Sequence, residues 1–234
     1  MSFEPKIKSL QTALFVKNFD FSQKLKIAQD INNKVGNFFN GNPMILPLPD
    51  DYPPDAPRIV LKDSESLYSC NVSLSRVDLF YKSKVTPEKQ FKDIEKDYFR
   101  ILWLLVDFLN KDSNAIIHRV GFVPTFFAEL DQSANTFLRT AFIKGPYFED
   151  PFELGINVLH KVHLSAWDVN RWFRIYGLHN VDKPEDDRGL EILIDINTLE
   201  EKVYNLNLDS IQKFIEECLV SIQEVLEKHL RVGF

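Results

Sequence analysis

The stretch LYSCNVSLSRVDLFY, Leu67 to Tyr81, changes its hydrophobic parity part-way along. Tyr68, Cys70, Val72 and Leu74 occupy one face of an extended chain, and Ser69, Asn71, Ser73 and Ser75 occupy the other. Beyond Arg76 the apolar positions become Val77, Leu79 and Tyr81. An uninterrupted strand cannot do this, so a β-bulge or a turn-over is expected near Ser75 and Arg76.

Downstream, Thr86-Pro87-Glu88 reads as a helix start, with a capping hydroxyl, a first-turn proline and an acid. Phe91, Ile94, Tyr98, Ile101, Leu102, Leu105, Phe108 and Leu109 then form a wide helical stripe. Ala115 to Leu130 follows as a strand apolar on both faces, and such a strand is expected to be covered on both sides.

Upstream, Arg58 opens a short strand, RIVLK. Before it, Pro43 to Pro57 holds six prolines and reads as an extended crossover laid over the surface. A strand over Thr12 to Phe19 precedes a helix over Ser22 to Phe39, which carries Leu25, Ala28, Ile31, Val35 and Phe38 and is stopped by Gly41. Strand, helix, strand, strand, helix, strand is the βαββαβ order of a ferredoxin-like half, expected over residues 1–130.

Residues 131–234 read as a second half, with the two halves separate or joined in one continuous domain. Asp131 to Ile143 predicts a short helix. Leu154 to Ala166, Arg171 to His179 and Leu190 to Asn197 predict strands, the last alternating Leu190, Ile192, Ile194 and Ile196 inward with Glu191 and Asp195 outward. Val181 to Arg188, with Glu185, Asp186 and Asp187, reads as a charged loop. A final helix begins at Asp209 with Gln212 in the capping position. The fold class is thus α+β: a ferredoxin-like first half, then a small antiparallel sheet backed by a long C-terminal helix. No repeat is visible residue by residue, although two remote copies of one strand-helix design are compatible with the pattern.

The 234 residues suffice to bury a core without disulfide or metal. Twenty phenylalanines against seven tyrosines and three tryptophans point to a core of rings without polar handles. Cys70 and Cys218 sit at apolar positions and read as buried, reduced thiols. The N-terminal MSFEPKIKSLQ lacks an apolar stretch, and the run Ile101 to Val106 is stopped by Asp107, so neither a signal peptide nor a membrane span is expected. The cytoplasm is the expected compartment. A net charge of −6 argues against binding nucleic acid by phosphate neutralisation.

Few groups suggest chemistry. His160 and His163 are the closest histidine pair, but a separation of three on a strand sends them to opposite faces, so they are not expected to share a metal. His160, in line with Ile156, Val158 and Val162, reads as a core histidine. Trp167, Arg171, Trp172 and Arg174 form an aromatic and basic cluster of the kind favoured at binding hot spots. The face Ser69, Asn71, Ser73 and Ser75 reads as solvated. Glu191 and Asp195 lie about 13 Å apart along one strand, too far to share an ion. The chain contains no glycine-rich phosphate loop and no GxSxG nucleophile motif.

The segment PLPDDYPPDAPRIVLKDSESLYSCNVSLSRVDLFYKS, Pro47 to Ser83, looks like a sporadically distributed family of uncharacterised prokaryotic proteins of about this length. It shares the proline-laden approach to a Pro-Arg strand, the Arg-Val-Asp step and a proline-initiated helix. The resemblance implies a two-part α+β fold and an accessory, mobile gene, and it carries over no functional residue.

These readings converge on a non-enzymatic cytoplasmic protein that binds a protein partner or a second copy of itself as a homodimer, with Trp167, Arg171 and Trp172 as hot spots. No cofactor, metal, nucleic acid or membrane is expected. The alternative is a small-ligand binder or enzyme with a Phe-lined cavity between sheet and long helix, into which His160 or His163 projects.

Overall fold

The computed structural model describes residues 5–49, 51–84, 87–143, 153–178, 187–202 and 204–230. Nine strands form one sheet: β1 (Lys6–Lys17), β2 (Met44–Ile45), β3 (Ile59–Lys62), β4 (Tyr68–Val72), β5 (Arg76–Lys82), β6 (Ile116–Glu129), β7 (Gly155–Leu164), β8 (Trp167–Leu178) and β9 (Gly189–Thr198). Four helices accompany them: α1 (Lys24–Lys34), α2 (Glu95–Asp107), α3 (Ala134–Phe142) and α4 (Leu208–Leu230). The spatial order is β2-β3-β4-β5-β1-β6-β9-β8-β7, and the neighbours are antiparallel throughout.

The parity break resolves as a turn. Ser73 Oγ accepts from the Arg76 amide at 2.9 Å and donates to the Arg76 carbonyl at 2.9 Å, closing a tight reversal between β4 and β5. This extra reversal changes the topology. A split βαβ unit sets the strands before and after its helix parallel, with one strand between them, whereas here both β5 and β4 lie between β1 and β3, and the three successive antiparallel pairings make β3 antiparallel to β1. The first half is therefore not built as the expected ferredoxin-like unit, and the sheet that follows is not small but continuous with it. Across the 130/131 division, β6 pairs directly with β9.

A repeat invisible in the residues is plain in the order. Setting the two-residue β2 aside, β1-α1-β3-β4-β5-α2 and β6-α3-β7-β8-β9-α4 are the same succession, and the sheet order is a palindrome about the β1–β6 pair. The second unit starts with β6, the strand counted above as the last of the first half.

Packing explains which face is core. Leu10, Thr12, Leu14 and Val16 on β1, Val120, Phe122 and Phe126 on β6, and Leu190 to Ile196 in alternation on β9 point to the helices and are buried. Tyr98 of α2 is fully buried and donates its hydroxyl to the Leu79 carbonyl at 2.9 Å. Phe214 of α4 meets Trp167 edge to face at 5.7 Å. Phe142 of α3 lies 6.4 Å from Phe173. All four helices thus cover one side. The double-sided cover expected for β6 is absent from the described residues: Val123 and Phe127 on its other face are only half-buried, shaded by neighbouring strands.

Local chemistry shifts several boundaries. Helix α1 ends at Gly36, not Gly41: Gly36 takes a φ of +71°, its amide donates to Asn33, and the Asn37 amide donates to Asn32 at 2.8 Å, a Schellman closure. Gly41 instead lets the chain approach β3, since a Cβ there would stand 2.8 Å from the Lys62 carbonyl oxygen. Thr86 lies outside the described residues. The turn before α2 is capped by Gln90 and Asp93, with the Gln90 amide donating to Asp93 Oδ2 at 2.8 Å. Helix α4 is capped by Asn207 and Ser210, each amide donating to the other's side chain, and not by Asp209 and Gln212.

Candidate functional site

With the helices on one side, alternate residues of nine strands face outward on the other. This open face carries Phe15 (β1), Phe80 (β5), Phe127 (β6), Leu193 (β9), Trp172 and Tyr176 (β8), all half-buried. Phe15 is held between Arg76 and Arg119, whose guanidinium carbons lie 5.7 and 4.5 Å from its ring centre. Both arginines are anchored: Arg76 Nε donates to Asp78 Oδ2 at 2.8 Å, and Arg119 Nη2 donates to Asn197 Oδ1 at 3.1 Å. Asp78 is only 3% exposed, and burial raises its carboxyl pKa against the lowering pull of Gln11 and Arg76.

The proline-rich crossover covers one end of this face, as its composition predicts. Arg58, 1% exposed, threads beneath it and donates to the carbonyls of Ala56, Tyr52 and Pro53 at 3.0, 3.3 and 3.4 Å. A buried guanidinium with three backbone acceptors ties the segment down.

Beside that cover lies a trough of about 1100 Å³ reaching from Met44 to Leu193. Its floor has Ser69, Asn71, Gln11 and Thr125 as polar groups, and Phe80 and Val123 as apolar ones. Its rim carries Lys8, Lys62, Lys82 and Lys84, and no acidic residue lines it. Lys8 pairs with Glu191 beyond the rim and Lys84 lies 3.8 Å from Glu65, whereas Lys62 and Lys82 make no ion pair among the described residues.

The aromatic and basic cluster read from the sequence is divided by the sheet. Trp167 and Arg171 point to the helices: Trp167 is buried against Phe214, and Arg171 donates to Ser221 Oγ of α4 at 2.8 Å and approaches His160 Nδ1 at 3.4 Å. Trp172 and Arg174 point to the open face, with the guanidinium carbon 5.0 Å from the Trp172 ring centre. Arg174 Nε and Asn170 Oδ1 are buried there without a hydrogen-bond partner. Odd and even positions on a strand face opposite ways, so this division was readable from the numbering.

His160 is exposed and no core histidine, because among the described residues β7 is an edge strand paired with β8 alone. His163 faces the open side, where its Nδ1 lies 2.9 Å from Asp168 Oδ1. Lys202 also pairs with Asp168, and these two partners hold the half-buried carboxyl below its ordinary pKa. No hydroxyl completes a catalytic relay with His163 among the described residues. A groove of about 410 Å³ between the β7–β8 hairpin and α4 is lined by His163, Arg171, Glu216, Glu224 and Ser221, without a phenylalanine. Among the described residues no three His, Cys, Asp or Glu side chains converge as a metal site, and no helix is long and apolar enough to cross a membrane. Glu185 and Asp186 lie outside the described residues, and both cysteines are free and buried.

The residues missed in the sequence are Lys62, Lys82, Phe80 and Leu193. Their signal was parity: Val60 and Lys62 fall on the face opposite the buried Ile59 and Leu61, as Phe80 and Lys82 oppose Leu79 and Tyr81.

No protein-family model matches the chain, and no curated protein matches its sequence. The resemblance through Pro47 to Ser83 therefore stands on those residues alone.

Proposed function

We propose that the chain is a non-enzymatic interaction module that receives a partner protein on the open face of its sheet. One observation carries this: all four helices lie on the same side, so beyond the end covered by the proline-rich crossover the strands present half-buried aromatic and aliphatic side chains with no other element of the described residues over them. Rings of this kind, beside arginine, are the usual anchors of protein interfaces. Trp172 with Arg174 and Phe15 with its two arginines are the proposed hot spots; Trp167 and Arg171 serve the fold. The cytoplasm is the proposed compartment, supported by two buried, unpaired thiols. Nothing in the sheet–α4 groove favours the alternative of a Phe-lined ligand cavity.

Sedimentation and affinity capture test the surface, comparing the parent protein with Trp172→Glu and Leu193→Glu on the sheet and Val220→Glu on exposed α4. Loss of the complex, with itself or another protein, in the sheet variants alone is expected. A complex that survives both sheet variants and is lost in Val220→Glu overturns the proposal.

A further inference from the structure

We propose that the trough on the open face seats an extended, acidic segment of the partner protein, laid across the strands. This rests on the open face being the binding surface and adds the chemistry of what binds.

Shape comes first. The trough runs from β2 to β9, six inter-strand steps or about 29 Å at the usual strand spacing. That length matches an extended segment of about nine residues.

Chemistry follows the same line. Lys62, Ser69, Phe80, Gln11 and Val123 are successive cross-strand partners and form one row. Such a row offers a cation, a hydroxyl, a ring, an amide and an aliphatic group in turn. Lys82, two residues from Phe80 on the same strand, sets a second cation beside the ring. Serine, asparagine and glutamine can bond a peptide backbone, Phe80 and Val123 can take apolar side chains, and the lysines call for carboxylates.

Other occupants fit less well. Phe80 is the one floor ring, since Tyr81 is 2% exposed and points into the core, whereas single-stranded nucleic acid binders stack successive bases on successive aromatic groups. The chain's net charge of −6 also repels a polyanion at long range. A second copy placing its own trough here would set lysine against lysine.

The test uses the full chain and fluorescence anisotropy with three probes: a labelled peptide of about nine residues alternating glutamate and leucine, the same peptide with lysine for glutamate, and an oligothymidylate of about ten nucleotides. The glutamate peptide is expected to bind about tenfold or more tighter than the lysine peptide, and to weaken with added salt. Lys62→Glu with Lys82→Glu is expected to weaken it about tenfold or more, while Lys96→Glu on α2 leaves it unchanged, all variants showing the parent's circular dichroism. Equal affinities for the two peptides, no saturation up to about 1 mM, or tighter binding of the oligothymidylate overturns the inference. If the peptides fail while Trp172→Glu still abolishes partner association, only the acidic segment is refuted; if association also survives that variant, the surface falls as well.

Discussion

The phenol of Tyr98 on α2 lies 3.0 Å from the hydroxyl of Thr12 on β1, and both residues are fully buried. The phenol also reaches the Leu79 carbonyl, so one side chain joins a helix to two adjacent strands. Burial pushes its pKa far above the ordinary tyrosine value, which leaves the neutral donor as the form that the site holds. Tyr98→Phe removes the donor without changing the packing volume and strands the Thr12 hydroxyl. A loss of about 1–3 kcal/mol is expected. Urea unfolding checks it: the midpoint falls at unchanged slope.

Asp78 gives a pH dependence of definite sign. Burial raises its folded pKa above the ordinary carboxyl value of 3.8, so the folded protein holds this proton more tightly than the unfolded chain. The associated stability is fully present below 3.8 and is lost as the pH rises through the raised folded value. Asp78→Asn mimics the protonated form. It is therefore expected to change stability little at pH 3 to 4 and to gain relative to the parent as the pH rises, as read from unfolding midpoints across that range. A gain that shrinks with rising pH would reverse the assignment.

Arg58 is predicted to hold the proline-rich crossover through its three carbonyl acceptors. Arg58→Met keeps much of the apolar stem and removes the donors, at an expected cost of about 2–3 kcal/mol. Limited proteolysis between residues 46 and 57 should accelerate together with the fall in melting temperature. Arg58→Lys restores a charge without the planar fork and is expected to rescue only part of the loss.

Cys70 and Cys218 are both fully buried, and desolvation raises both thiols well above the free value. Neither is expected to react with a thiol reagent in the native protein, and both should react on unfolding. Native labelling at Cys218 would mean that α4 lifts from β6, where its stripe is seated.

Much of this architecture was legible where the information is local. The parity switch after Arg76 located the β4–β5 turn, and the alternation from Leu190 to Ile196 oriented β9 correctly. Ile211, Phe214, Cys218, Ile222 and Leu226 recur at helical spacing and form the buried face of α4. Pairing was not legible, because nothing in β1 names β6 as its neighbour across more than a hundred residues, and one additional reversal, between β4 and β5, is enough to make β3 antiparallel to β1. The site was half-legible. Trp172 and Arg174 do share the open face, but their grouping with Trp167 and Arg171 followed nearness in sequence where strand geometry separates them. Lys62 and Lys82 drew no notice because a lysine near a strand end is ordinary. Their meaning comes only from Phe80, Ser69 and each other, across strands.

The palindromic strand order has a consequence for orientation. Backbone symmetry about β1 and β6 makes the scaffold nearly blind to end-for-end reversal, yet its outward residues are not repeated: lysines, serine and Phe80 occupy one wing, and Trp172, Arg174 and Asp195 the other. A directional molecule lying across that face meets a different chemistry at each end. The surface therefore has a head and a tail, although the framework that carries it has neither.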